Sequence, residues 1–284
     1  MLTTTYEMLQ KAYEGHYAVP AINTQGGTYD IIRAVCTAAE ELRSPVILAH
    51  YVNTGAYSGH DWFYETAKWM AGKVSVPVAI HLDHGDSFER CMEMLKLGFT
   101  SIMFDGSALP VEENAAATEA VVRVCRSFGV PLEAEIGELC RLDDRGNKIG
   151  ASNIADPDVV RQYLKLCHPD SLAIGIGNAH GFYNGPVDIR VEVLEECRKF
   201  TDIPFVLHGC TGMDEELVKR SIDSGVTKIN FGTQVRCQYV NYLKEGLAEG
   251  KDQGHAWKLS QYAELRLRED IKDIIRLAGS KEKA

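Results

Sequence analysis

The sequence predicts an α/β protein, a (β/α)8 barrel of the TIM type with an extra C-terminal helical segment. Three observations carry this expectation. Eight short runs rich in Val and Ile alternate with longer segments of helical period. A polar or ionisable residue stands at the carboxyl end of every run. The turn after the first run, "AINTQGGTYD", is a poor match to the G-x-G-x-x-G that opens a doubly wound nucleotide-binding sheet.

Taken in order, YAVPAIN (17–23) ends at Asn23 and leads into TYDIIRAVCTAAEELR, apolar at spacings of three and four as one face of a helix requires. SPVILAH (44–50) ends at His50. VPVAIHLDH (76–84) ends at Asp83 and His84, ahead of the helical DSFERCMEMLK, for which Asp86 is the expected cap. TSIMFDG (100–106) presents Asp105 and precedes the helical EENAAATEAVVRVCRSF. VPLEAEIG (130–137) presents Glu135, and SLAIGIGN (171–178) presents Asn178 followed by His180. IPFVLHG (203–209) presents His208, and the helix after it, MDEELVKRSIDSG, begins acidic and ends at glycine. TKINFG (227–232) presents Asn230. Strict alternation implies parallel strands joined by right-handed crossovers. Between the fifth and sixth runs, residues 138–157 form an excess loop, a length that often serves as a lid. AWKLSQYAELRLREDIKDIIRLAG then continues past the eighth unit at helical spacing, and residues 1–284 read as one domain.

Composition narrows the partners. A formal net charge of −10 and a pI of about 5.4 argue against a surface built to neutralise nucleic-acid phosphates or anionic lipid, and favour a small local ligand. The 8 cysteines are scattered with no C-x-x-C pair, the usage expected of reduced core thiols in a cytoplasmic protein. No basic leader with an apolar core opens the chain, and no apolar run approaches membrane-spanning length, so no membrane association is expected.

Three histidines at the ends of three strands, His84, His180 and His208, each followed by glycine, match the donor set of a catalytic zinc with one position open; Glu135 is placed to join or replace a ligand. Asp83, one residue back in an extended run, projects differently from His84 and suits proton exchange with a substrate. His81 shares the face of Asp83 and is expected to orient it or fill the barrel interior. HGCTG (208–212) and NFGT (230–233) offer glycine-permitted amides and the hydroxyls of Thr211 and Thr233 near helix starts, the usual place for phosphate in such barrels.

AIHLDHG, EAEIG, GIGNAHG, LHGCTG and KINFGT together resemble the successive signature segments of the class II, zinc-dependent ketose-bisphosphate aldolases, especially the tagatose-bisphosphate branch and the aldolase of inositol breakdown. The resemblance implies reversible cleavage of a ketose 1-phosphate or 1,6-bisphosphate to dihydroxyacetone phosphate and an aldehyde. It makes His84, His180 and His208 zinc ligands, Glu135 a second carboxylate near the metal, and Asp83 the acid/base at the C4 hydroxyl. It assigns Gly181, Gly209, Thr211, Asn230 and Thr233 to the phosphate, Asn23 to the substrate side, and the backbone around Gly181 and Gly209 to a monovalent cation, Na+ or K+. A homodimer or homotetramer is also implied.

Two departures stand out. Where the family's loop carries Gly-Gly and then a glutamate, this chain has Cys140, Arg141 and, in the acid's place, Asp143. The second strand's loop, AHYVNTGAYSGHDW, lacks the family's short Ser/Thr-Gly turn, so His50, Tyr51 and Asn53 are expected to shape a different aldehyde half. A 6-phospho-5-dehydro-2-deoxygluconate-type aldolase and a non-catalytic sugar-phosphate-binding relative are the alternatives within the resemblance; a Schiff-base aldolase and a zinc hydrolase are those outside it.

Overall fold

The structure is a computed structural model that describes residues 1–137, 140–142, 148–149, 154–182 and 188–284. Eight parallel strands close into a barrel in sequential order: Val19–Asn23, Val46–Tyr51, Val78–Gly85, Ser101–Phe104, Leu132–Ile136, Ser171–Ile174, Phe205–Leu207 and Val226–Phe231, the last pairing with the first. Each falls on one of the eight predicted runs, with Tyr51, Gly85 and Val226 extending three of them by one residue. The crossover helices bury their apolar faces against the strands, as Ile31, Ile32, Val35 and Ala39 of Tyr29–Leu42 do.

The sixth run is shorter than its sequence suggests. Gly177 takes φ +93, and a side chain there would meet the Asp188 carbonyl at 2.3 Å, so the chain leaves the barrel after Ile174. Ala179–His180 instead joins Cys140–Leu142 and Lys148–Ile149 in a small second sheet.

The N-terminal helix Thr5–Glu14 closes the opposite end, where Met8, Leu9 and Ala12 pack on the inward Val19, Ala21, Ile47 and Ala79. The extra C-terminal segment is a helix, Ala256–Leu277, packed against Tyr29–Leu42 and Thr233–Ala248 and tied to Glu41 by Arg268 and Lys272. Seven described cysteines are free thiols and all but Cys237 are buried; burial pushes Cys36 up to about 12. Among the described residues, no helix is long and apolar enough to cross a membrane.

Candidate active site

A cavity of about 620 Å3 opens at the carboxyl end of the barrel, and Asn23, Asp83, His84, Glu135, His180, Gly181, Gly209, Thr211, Asn230 and Thr233 all line it. His208 lies just beneath, 1% exposed. Asp143, expected to act from the long loop, lies outside the described residues.

His84 is brought in by a bulge. Leu82 pairs with Ile102 but Gly85 pairs with Phe104, so three steps on one strand oppose two on its neighbour, and His84 takes φ 53, uncommon for a side-chain-bearing residue. His180 comes from the small second sheet. His208 follows the seventh strand, directly before Gly209, whose φ of +66 and close approach to the Ala179 carbonyl admit no side chain. The imidazole centroids are 5.1 Å (His84–His180), 4.8 Å (His84–His208) and 6.1 Å (His180–His208) apart, and one donor atom from each lies within 4.8 Å of the others.

Hydrogen bonds settle the tautomers. His84 Nδ1 donates to the Asp105 carboxylate at 2.7 Å, which leaves Nε2 as the lone-pair nitrogen; buried, it has no protein partner. His208 Nε2 donates to Glu133 Oε1 at 2.9 Å, which leaves Nδ1 to accept from Asn230 Nδ2 at 3.2 Å. Glu135 Oε2 is a second buried polar atom without a hydrogen-bond partner. His84, Asp105 and Glu135 form an alternative donor group, but His84 Nδ1 is already committed to Asp105, so the three imidazoles are the better-prepared set. Unsatisfied buried lone pairs facing one point fit a bound cation.

The charges agree. Burial opposes protonation of His84, but Asp83, the Asp105 hydrogen bond and Glu135 together push its pKa up to about 10, the signature of a position that wants positive charge. Burial, and then Asp105, drive Glu135 well above the carboxylate range. Burial, and then His84, drive His208 well below the usual histidine value. For Asp83, burial raises the pKa, yet His84, His208 and Lys228 outweigh it and hold the carboxyl below its ordinary value, ionised and ready to accept a proton. Asn230 Nδ2 donates to Asp83 Oδ1 at 3.2 Å and fixes its direction.

Three residues past His208, Thr211 Oγ1 accepts from the Gln234 N–H at 3.2 Å, joining the seventh loop to the first turn of Thr233–Ala248. Arg236, one turn past Thr233, is the only Lys or Arg among the described residues that line the cavity. Its i+3 spacing from Thr233, which puts both on one helix face, is the only sequence signal for it.

Two expectations need correction. His50 does not line the cavity: it is fully buried behind the wall, stacked on Phe63 at 4.2 Å and hydrogen-bonded through Nε2 to His60 Nδ1 at 2.7 Å. Tyr51 and Asn53 do line it, with Asn53 Nδ2 donating to the Tyr51 hydroxyl. Strand alternation separates His50 from Tyr51, since neighbours face opposite sides, while Asn53 reaches the cavity from the first turn of the helix Val52–Ser58. Asp86 is not the helix cap; Ser87 Oγ accepts from Arg90 N, and Asp86 faces the cavity.

Burial, and then His60, lower the pKa of His50 to about 3. A base depressed in the folded state contributes stability above its free value of 6.5 that is lost as pH falls toward 3. Roughly 2 kcal/mol should therefore be gone by pH 5. Urea unfolding of His50→Phe between pH 7 and 5 should show a flatter decline than wild type; equal slopes would refute the assignment.

Closed barrel, convergent imidazoles and a neighbouring carboxylate define a barrel enzyme whose site could hold a metal ion. The family profile described as "Fructose-bisphosphate aldolase class-II" matches residues 3–283. A fructose-bisphosphate aldolase of Mycoplasma pneumoniae is 38% identical over 256 residues, 89% of this chain and 87% of that protein. Among solved structures, the YdjI aldolase of Escherichia coli K12 superposes with a TM-score of 0.87 at 30% identity, covering 100% of both chains. A putative fructose-1,6-biphosphate aldolase from Coccidioides immitis gives 0.85 at 26%, covering 98% of this chain and 96% of that one. The chain belongs to the class II fructose-bisphosphate aldolase family. It is an aldolase, a carbon–carbon lyase, of a generally metal-dependent family.

Proposed function

We propose that the chain catalyses reversible zinc-dependent aldol cleavage of a phosphorylated ketose, a ketose 1-phosphate or 1,6-bisphosphate, to dihydroxyacetone phosphate and an aldehyde. The observation that carries this reading is Asp83, held ionised, beside three convergent imidazoles, of which His84 carries a buried nitrogen with no protein partner, in a cavity also lined by Gly181, Gly209, Thr211 and Thr233. Zinc held by His84, His180 and His208, with Glu135 as an exchangeable further ligand, supplies Lewis-acid polarisation of the ketose carbonyl when bound. Asp83 takes the C4 hydroxyl proton as the C3–C4 bond breaks, and returns it in the synthetic direction. Asp143 is assigned by resemblance to the proton at C3. The amides around Gly181 and Gly209, the hydroxyls of Thr211 and Thr233, and Asn230 hold the phosphate, with a monovalent cation, Na+ or K+, on the Gly181 and Gly209 backbone; Asn23 serves the substrate side.

A second reading, the 6-phospho-5-dehydro-2-deoxygluconate type, is favoured by Tyr51 and Asn53, whose paired polar groups replace the family's short turn on the aldehyde side. A coupled assay of dihydroxyacetone phosphate release across ketose 1-phosphates, 1,6-bisphosphates and the deoxygluconate phosphate decides between the two; release from none of them would sink both. We also place the protein in the cytoplasm as a homodimer or homotetramer. Sedimentation is the check on the assembly.

Arg236 adds charge complementarity to a cavity that also holds Asp83, Asp86, Asp105 and Glu135. Arg236→Gln should raise KM for the phosphorylated ketose about tenfold with kcat nearly unchanged, the loss of one charge-assisted contact. Steady-state kinetics check this, and an unchanged KM would remove Arg236 from the phosphate site.

A further inference from the structure

Beneath the cavity, the barrel interior holds three ionisable side chains that take no part in the steps above: His81, Glu133 and Lys228, exposed by 0, 2 and 0%. Each stands two residues before a group of the site, Asp83, Glu135 and Asn230, and so shares its inward face one step deeper along the strand. Lys228 Nζ donates to Glu133 Oε2 at 2.6 Å and to His81 Nε2 at 3.0 Å. His81 Nδ1 is 2.7 Å from Ser101 Oγ, which also accepts from Thr5 Oγ1 at 2.9 Å. The other carboxylate oxygen, Glu133 Oε1, takes the His208 hydrogen bond at 2.9 Å.

The donors and acceptors along this chain are determined. An ammonium only donates, so His81 Nε2 accepts and its Nδ1 carries the hydrogen toward Ser101. A carboxylate only accepts, so His208 holds its hydrogen on Nε2 and leaves Nδ1 as its lone-pair nitrogen. Glu133 has no freedom to turn away, because Lys228 holds one oxygen while His208 takes the other.

A buried ion pair is a poor device for stability: a pair of apolar side chains of similar volume is often as stable or more so. Its value must lie in what it orients. We propose that Glu133 and Lys228 are positioning residues for the metal centre, with Lys228 locking the Glu133 carboxylate that holds His208 in its ligating tautomer. This rests on the metal reading proposed above. It also gives the buried lysine a task other than Schiff-base chemistry, since Lys228 does not line the cavity.

Removing Lys228 alone strands a buried carboxylate and threatens the fold, so the informative protein is the double variant Lys228→Met, Glu133→Met, which removes both charges at similar volume. Its zinc dissociation constant, measured by competition with a chromophoric chelator, should rise about 10- to 100-fold. The visible absorption of the cobalt-substituted protein should shift, while the thermal midpoint of the metal-free form stays at or above that of wild type. Wild-type zinc affinity and an unchanged cobalt spectrum in the double variant would overturn the proposal. His84→Ala, titrated alongside, separates the two claims. If it loses zinc while the double variant keeps it, the positioning role falls alone; if it keeps wild-type affinity, the metal reading falls and takes the positioning role with it.

Discussion

Chelation with EDTA should reduce ketose cleavage to background, and added zinc should restore it, whereas borohydride in the presence of substrate should leave activity intact. The reasoning starts from unsatisfied atoms. His84 Nε2 and Glu135 Oε2 are buried with no hydrogen-bond partner, and the pKa of His84, pushed up to about 10, shows how strongly the surrounding carboxylates favour a positive charge there. A divalent cation satisfies both demands; a proton meets only one. Borohydride traps a lysine imine, and among the described residues no lysine lines the cavity. Lys228, the buried one, is held by Glu133 and His81. Inactivation by borohydride together with indifference to EDTA would defeat the metal mechanism outright.

Asp83→Asn should lower kcat by about 10²- to 10⁴-fold, the usual worth of a positioned acid/base, while zinc content and KM stay near wild type. The amide keeps the shape and can still face the Asn230 amide group, but it accepts no proton at the C4 oxygen. The carboxyl is held ionised by His84, His208 and Lys228 against the pull of burial, so the wild-type group is a base across the neutral range. Exchange of the C3 proton of dihydroxyacetone phosphate with solvent, followed by NMR, separates the two proton transfers: it should survive in the variant, because Asp83 is assigned to the C4 oxygen and not to the carbon at C3. Loss of exchange in step with loss of cleavage would show that Asp83 serves C3 as well. A variant with wild-type turnover would remove it from catalysis.

Much of this site is legible in the sequence because barrels put chemistry at one end of every strand. Asn23, Asp83, His84, Glu135, His180 and Asn230 could be read as site candidates from eight runs ending in polar groups, and all of them line one cavity. His50 could not. The residue ends its run as the others do, but whether it faces the cavity or the helix layer depends on strand phase, and a sequence run does not mark where the pleat begins. Asp86 and Ser87 failed for a related reason: adjacent residues are both good caps, and the local turn decides which one accepts from Arg90.

The apolar periodicity, the strand count and the order of the catalytic groups were properties of the chain alone, because burial against neighbouring layers imposes a period that local sequence must already carry. The barrel's interior polar chain was not. Glu133, Lys228 and His81 come from strands far apart in sequence, and each by itself looks like an isolated charge in an apolar run. Only closure of the sheet sets Lys228 2.6 Å from Glu133 and Glu133 2.9 Å from His208, and hydrogen bonding acts over those distances rather than along the sequence.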